Sequence, residues 1–339
     1  MTTDVSAESR ILGGLWGVAI GDALGVPVEF RSRKDRERDP VTDLRGYGTH
    51  KQPPGTWSDD TSLSLCTIDT LLHNGEDYET LGQSFVRWLD AEIWTPHGAV
   101  FDVGNTTADA IRRLARGVPP FEAGSDDELS NGNGSLMRIL PVAIWFAGRQ
   151  TADVIEAAYR FSALTHRHPR SQVGCAIFCL VARRLLAGVD AVSAIDDAWK
   201  DASDHANAEP LASELHSYSR ISPASNLKRL GVIDIRGSGY VVEALEASLW
   251  CLLNTKSFKQ AVLRAVNLGD DTDTTGAITG ALAGIRYGLD AVPAEWRARL
   301  ARRDDLDLLF NAFVSRASET RPKRTPTQRG RTARGHRGN

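Results

Sequence analysis

Gly269-Asp270-Asp271-Thr272-Asp273-Thr274-Thr275-Gly276 sets three carboxylates and three hydroxyls within eight residues. The run of small residues from Ala277 to Tyr287 reads as a helix, so the acidic cluster occupies a loop that feeds a helix N-terminus. A second group of the same make-up, Ser58-Asp59-Asp60-Thr61, opens another apolar helix far earlier in the chain. Each group alone has the composition of a helix N-cap. Together they read as two halves of one oxygen-rich metal site. Asp59, Asp60, Asp271 and Asp273 are hard anionic ligands, and Ser58 and Thr274 add neutral oxygens. Such a set suits Mg²⁺, Mn²⁺ or Ca²⁺ rather than zinc. Cap and ligand roles are compatible, because a helix N-terminus favours the ionised carboxylate. Four carboxylates cannot stay ionised together without cations. Two divalent ions would offset the repulsion, and a pair about 4 Å apart is a recurring hydrolytic device.

The next candidate is Asn131-Gly132-Asn133-Gly134-Ser135-Leu136-Met137-Arg138. Its glycines and small polar residues precede a helix expected over 135–147, with Arg138 in the first turn. Backbone N–H groups at such a start, supported by Arg138, make an anion site for a phosphate or diphosphate. The same residues also suit a plain turn between helices.

Taken in order, five stretches form a recognisable succession. They are Gly21-Asp22-Ala23-Leu24-Gly25 with Glu29; Gly55-Thr56-Trp57-Ser58-Asp59-Asp60-Thr61; Gly132-Asn133-Gly134-Ser135-Leu136-Met137-Arg138; Thr165-His166 with His168-Pro169; and Gly269 to Gly276. The succession resembles the ADP-ribosylglycohydrolase family, of the dinitrogenase-reductase-activating glycohydrolase type, over roughly residues 8–310. The resemblance implies an all-α fold with two Mg²⁺ or Mn²⁺ ions in a central cleft. It implies hydrolysis of the bond between the anomeric carbon of the distal ribose of ADP-ribose and an acceptor. It assigns metal ligation to Ser58, Asp59, Asp60, Asp271, Asp273 and Thr274. Ser58 replaces a threonine common in the family and keeps the hydroxyl. Asp270 stands where glycine is frequent and is not counted as a ligand.

By the same resemblance, Glu29 is the family glutamate near the metals. Asp102, in Phe101-Asp102-Val103-Gly104-Asn105-Thr106-Thr107, resembles a proposed catalytic base. Which of Glu29, Asp60 and Asp102 activates water and which protonates the leaving group stays open at this point. Gly132, Asn133, Gly134, Ser135, Met137 and Arg138 would hold the diphosphate, and His166 would border the ribose and phosphate. Tyr240, in Gly237-Ser238-Gly239-Tyr240, either packs on a base or sugar or belongs to a simple turn. The expected substrate is an ADP-ribosylated protein or small molecule, and the product is ADP-ribose. Arginine is the expected acceptor; serine, a nucleobase or a small compound remain alternatives. So do a catalytically inactive ADP-ribose-binding member and a di-metal phosphohydrolase that cuts the diphosphate.

Helices must position these groups. Periodicity predicts them at 6–24, 61–73, 78–93, 106–116, 135–147, 151–163, 170–187, 190–201, 207–219, 240–253, 257–267, 274–288, 294–302 and 305–318. Pro141 either kinks the fifth or begins its main part. Val232-Ile233-Asp234-Ile235 is the only strand-like alternation. Gly13, Gly17, Gly21 and Gly25 recur every fourth residue in the first helix, as do Gly276, Gly280 and Gly284 in the helix after the acidic cluster. Glycine costs roughly 1 kcal/mol against alanine inside a helix. Two such stripes predict that these helices pack backbone to backbone and bring Glu29 beside the metals, which Gly17→Leu would disturb. Residues 31–56, rich in Gly and Pro after a charged start, read as a functional loop leading into Ser58.

The chain has 339 residues, 42% hydrophobic and 24% charged, with net charge −3. No apolar run is expected to span a bilayer, since Asp22 interrupts the one candidate. Residues 321–339 carry seven Lys/Arg and no acid, which leaves an acidic body without a nucleic-acid footprint. Any nucleic-acid contact would fall to that tail. Cys66, Cys175, Cys179 and Cys251 lie in apolar helical stretches, form no CxxC pair and suit a reducing cytoplasm. The expectation is one all-α domain over residues 1–318, a layered bundle of about a dozen helices, followed by a disordered basic tail at 319–339.

Overall fold

The computed structural model describes residues 5–207 and 211–319. Among these the protein is all-α, with no strand and only isolated backbone bridges. In chain order the helices are α1 (Ala7–Gly25), α2 (Arg33–Arg38), α3 (Asp59–Asn74), α4 (Tyr78–Ala91), α5 (Asn105–Ala115) and α6 (Pro120–Ala123). Then come α7 (Leu140–Trp145), α8 (Thr151–Ala163), α9 (Pro169–Leu186), α10 (Ala191–His205), α11 (Leu211–Leu215) and α12 (Ala224–Arg229). The last are α13 (Val241–Leu253), α14 (Phe258–Val266), α15 (Thr272–Tyr287), α16 (Ala294–Arg299) and α17 (Arg303–Glu319). The basic tail lies outside the described residues, except that Glu319 ends α17.

The bundle is built around α1. Every residue from Ile11 to Gly25 is buried, as befits a helix without a polar face. With the turn that follows, Ala7–Val28 is long and apolar enough to cross a membrane by length and composition, contrary to the sequence reading. Here it is enclosed by protein from Ile11 to Val28. Its main neighbour is α15, buried from Thr272 to Ile285.

The two helices meet through their glycines, as the stripes predict. A Cβ added to Gly17 would lie 2.0 Å from the carbonyl oxygen of Gly280. At Gly21 it would lie 2.0 Å from that of Gly276, and at Gly13 2.3 Å from that of Gly284. At Gly25 it would sit 2.2 Å from the backbone nitrogen of Asp273. No side chain fits at such distances, so this seam accepts only glycine. The Thr272 hydroxyl donates to the Gly25 carbonyl (2.8 Å) and fixes the register at the end where the acids lie.

Three expectations need correction. Val232–Asp234 forms a 3₁₀ turn, not a strand. Its Ile233 is 83% exposed, so the alternation marks no buried face. The helix expected over 135–147 begins only at Leu140, with Pro141 in its first turn; Gly134 to Arg138 are consecutive turns instead. The helix expected over 207–219 is the short α11 followed by a 3₁₀ turn, His216–Tyr218, and α12 had no counterpart in the sequence reading.

Candidate active site

The two acidic clusters converge, each at the N-terminus of a buried helix. Ser58 caps α3: its hydroxyl accepts from the Asp60 N–H (3.3 Å), leaving Asp59 and Asp60 in the first turn. Asp271 occupies the cap position of α15, but its side chain makes no capping bond. The Thr274 hydroxyl donates to Asp60 Oδ2 (3.3 Å) and joins the clusters directly.

Glu29 arrives by a different route. Val26–Val28 form a 3₁₀ turn after α1. The chain then pairs with the acidic loop: Phe30 N–H donates to the Asp270 carbonyl (2.7 Å) and Asp270 N–H to that of Arg31 (2.8 Å). This pairing sets Glu29 beside Asp271 and Asp273, with carboxylate oxygens of all three within 4.8 Å of one another. Asp270 itself faces solvent at φ +63°, a left-handed conformation that glycine takes without strain.

Two residues that the sequence reading did not assign to the site complete this wall. Asp22 is fully buried in α1. Its carboxylate accepts from Ser58 N–H (2.9 and 3.0 Å), Thr61 N–H (3.1 Å) and the Thr61 hydroxyl (2.6 Å). It therefore clamps the first turn of α3. In the sequence it stood in the Gly21–Gly25 stretch as a charge inside an otherwise apolar helix and was given no role. His50 comes from the loop over 31–56; its Nε2 lies 2.5 Å from Glu29 Oε2 and 3.8 Å from Asp102 Oδ1. Nothing in its sequence neighbourhood marks it.

The electrostatics follow from burial and crowding. Burial, then Asp102, Asp271 and Asp59, push Glu29 up to about 11. Burial first and neighbouring acids second hold Asp59, Asp60 and Asp273 well above the usual carboxylate range. Asp271 is raised by burial. Asp22 is raised to about 7 by burial, against the pull of its hydrogen bonds from Thr61 and Ser58. Meanwhile Asp60 Oδ1, Asp271 Oδ1 and Asp273 Oδ2 are buried and take no hydrogen bond from any described residue. Stranded, mutually repelling carboxylate oxygens are the donor set of a hard cation. The residues present therefore fit the divalent ions expected from the sequence.

A cleft of about 370 Å³ opens over this wall. Glu29, Asp59, Asp102, Asp271 and Thr274 line one side, with Phe30 at the edge, 68% exposed. Asp60 and Asp273 lie deeper, 1% exposed each. Gly132, Asn133, Gly134, Met137, His166 and Gly239 line the other side. Asn133 ties the sides together, its Nδ2 donating to Asp271 Oδ2 (2.8 Å) and its N–H to the Gly239 carbonyl (2.9 Å).

Three expected contacts do not face the cleft. Ser135 is fully buried and its hydroxyl accepts from that of Ser162 (2.8 Å). Arg138 is also fully buried and donates from Nη2 to the Phe161 carbonyl and the Thr165 hydroxyl (2.9 Å each). With no helix beginning at 135, its side chain drops inward against the Phe85 ring. Tyr240 pairs its backbone with Gly132 and caps α13, while its ring lies 6.0 Å from the Arg170 guanidinium.

The sequence profile of the family described as ADP-ribosylglycohydrolase matches residues 3–323. The chain belongs to the ADP-ribosylglycohydrolase family. It is 34% identical to ADP-ribosylarginine hydrolase Tri1 of Pseudomonas putida (strain GB-1), over 94% of this chain and 81% of that protein. It is 29% identical to the ADP-ribosyl-[dinitrogen reductase] glycohydrolase of Rhodospirillum rubrum, over 88% of this chain and 92% of that one. A solved structure described as an ADP-ribosylglycohydrolase-related protein complex superimposes with a TM-score of 0.77 at 30% identity, covering 92% of this chain and 99% of the other. Fold and family are thus those implied by the motif succession, and the cleft just described is the candidate site of an ADP-ribosylglycohydrolase.

Proposed function

We propose that this ADP-ribosylglycohydrolase is a metal-dependent hydrolase that removes ADP-ribose from ADP-ribosylated arginine on a protein, in the cytoplasm. The observation that carries the reading is the convergence of Glu29, Asp59, Asp60, Asp271 and Asp273 with three buried carboxylate oxygens unpartnered among the described residues. Ser58, Asp59 and Asp60 would hold metal from one side, and Asp271, Asp273 and Thr274 from the other, in line with two Mg²⁺ or Mn²⁺ ions. When bound, such ions supply positive charge that lets the carboxylates ionise and oxygen-binding positions for the ribose hydroxyls.

The protein's own groups do the rest. Glu29 and Asp102 share the cleft mouth and interact directly, which supports dividing the proton work between them. One carboxylate takes a proton from water as its oxygen bonds to the anomeric carbon; the other gives its proton to the leaving nitrogen as the glycosidic bond breaks. Asp60 lies too deep for either task, and its position supports a ligand role instead. The acidic mouth beside the exposed Phe30 ring suits a planar guanidinium, which gains from both carboxylate and aromatic face. Gly132 to Gly134 and His166 form the wall where the diphosphate would lie.

The test is mass-spectrometric: peptides ADP-ribosylated on arginine or on serine, incubated with Mg²⁺ or with EDTA, beside Asp60→Ala. The expected result is release of intact ADP-ribose from the arginine peptide with Mg²⁺ alone, lost in Asp60→Ala. Release of AMP would instead indicate a phosphohydrolase. No release from either peptide by metal-loaded protein would overturn the reading.

A further inference from the structure

Arg138, Thr165 and His166 form a buried relay under the glycine turn. Arg138 is fully buried, and its Nε and Nη1 take no partner among the described residues. Among these residues no carboxylate bonds it. Its Nη2 donates to Thr165 Oγ1 (2.9 Å), and Thr165 is itself fully buried. His166 Nδ1 lies 2.9 Å from the same oxygen. A guanidinium cannot accept a hydrogen bond, so the Thr165 oxygen must accept there. The Thr165 hydroxyl hydrogen then needs an acceptor of its own. Among the described residues, His166 Nδ1 is the acceptor within reach. If Nδ1 carried a proton, that buried hydroxyl hydrogen would be stranded, which is costly.

We infer that the Arg138–Thr165 pair locks His166 as the neutral tautomer protonated on Nε2, with that N–H turned toward the glycine turn as the anion donor of the cleft. Arg138 and Thr165 are positioning residues, and His166 alone would touch the ligand. The surroundings agree. Nε2 makes no hydrogen bond among the described residues, and His166 lines the cleft. A Cβ added to Gly132 would come 3.5 Å from Nε2, and one on Gly134 would come 2.8 Å from Cε1. Neither glycine has a positive φ, so what they provide is clear space over the imidazole edge rather than an unusual turn. Burial and the Arg138 charge also hold His166 down to about 3, which keeps it uncharged.

The tautomer follows from these contacts alone; the identity of the anion as the ADP-ribose diphosphate rests on the proposed function. Two readouts separate them. Long-range ¹H–¹⁵N spectra of His-labelled, ligand-free protein, assigned against His166→Gln, report which ring nitrogen carries hydrogen. Calorimetry with ADP-ribose and Mg²⁺ reports binding. The expected spectrum shows Nε2 protonated and Nδ1 bare. Thr165→Val mixes the tautomers and weakens ADP-ribose binding about tenfold, and Thr165→Ser restores both. A parent spectrum with Nδ1 protonated overturns the relay, even if Thr165→Val does not fold; so does a Thr165→Val spectrum identical to the parent's. The expected spectrum with no ADP-ribose binding upholds the relay and overturns the ligand assignment.

Discussion

The two walls of the cleft solve opposite problems. The wall built from α3, α15 and Glu29 crowds carboxylates until they cannot all ionise, as the upward shifts of Glu29, Asp60 and Asp273 record. The facing wall has no acid. It offers the glycines at 132 and 134, the neutral His166, and beneath them a buried Arg138 that no carboxylate bonds among the described residues. On the proposed function, one side would receive cations and the other an anion. A ligand bearing vicinal hydroxyls at one end and phosphates further along would meet each in turn. The lesson is that both walls leave polar atoms unpaired, which folding alone disfavours; a ligand makes sense of both.

The comparison breaks most cleanly with a pair of variants. Asp273→Ala should lower kcat/KM on the order of 10³-fold, the scale of losing a central electrostatic group. It should also abolish the rise in melting temperature on adding Mg²⁺, read by calorimetry. Gly134→Ala pushes a methyl into His166 and Thr107. About ten- to a hundredfold weaker ADP-ribose binding is expected there, with the Mg²⁺ shift intact. If both variants lost both properties equally, the walls would not be separable.

Asp22→Asn comes next. It removes the carboxylate that clamps α3 while keeping its shape, and should weaken Mg²⁺ binding by about 10–100-fold, as loss of a group orienting ligands does. Isothermal titration would measure it.

A pH series on EDTA-treated protein is a gentler probe. Asp22 is held up to about 7 from an ordinary 3.8, so the folded state holds this proton more tightly than the unfolded chain. That contribution to stability is complete below 3.8 and lost as pH rises through about 7. Melting temperature should therefore fall by several degrees across this window, and Asp22→Asn should flatten Asp22's share of the slope.

The smallest effect is expected of Asp270→Gly. Relief of its positive φ should raise stability by at most about 1 kcal/mol, seen in urea melts, with metal binding unchanged. A loss of metal affinity would make Asp270 a ligand after all.

Much of this was readable in the sequence, and the failures share one cause. The stripe from Gly13 to Gly25 announced a backbone contact because glycine inside a helix has few other reasons to recur. The clusters at 58–61 and 271–274 showed their helices and their oxygens. Helix α8 was legible to the residue because its apolar positions keep step with a single buried face. Arg138 was misplaced because a sequence shows an arginine near a turn but not the Phe161 carbonyl waiting to accept from it. Asp22 belonged to the first stretch of the motif succession but was given no role, since its partners sit in another segment. His50 had no local signature at all. Wherever a role depends on a contact between distant segments and no repeated pattern advertises it, one chain read alone is silent.

The glycine seam between α1 and α15 also bears on how the protein is made. The first described helix is buried from Ile11 to Gly25, yet the surface that covers its glycine face is synthesised some 250 residues later. Until Gly276 to Gly284 have left the ribosome, α1 has no partner for its narrowest face, and the acids at 58–60 have no counterpart. A nascent chain must shelter that helix for most of translation. The proposed metal site cannot form in any fragment that stops short of α15, so on that proposal activity arrives late and all at once.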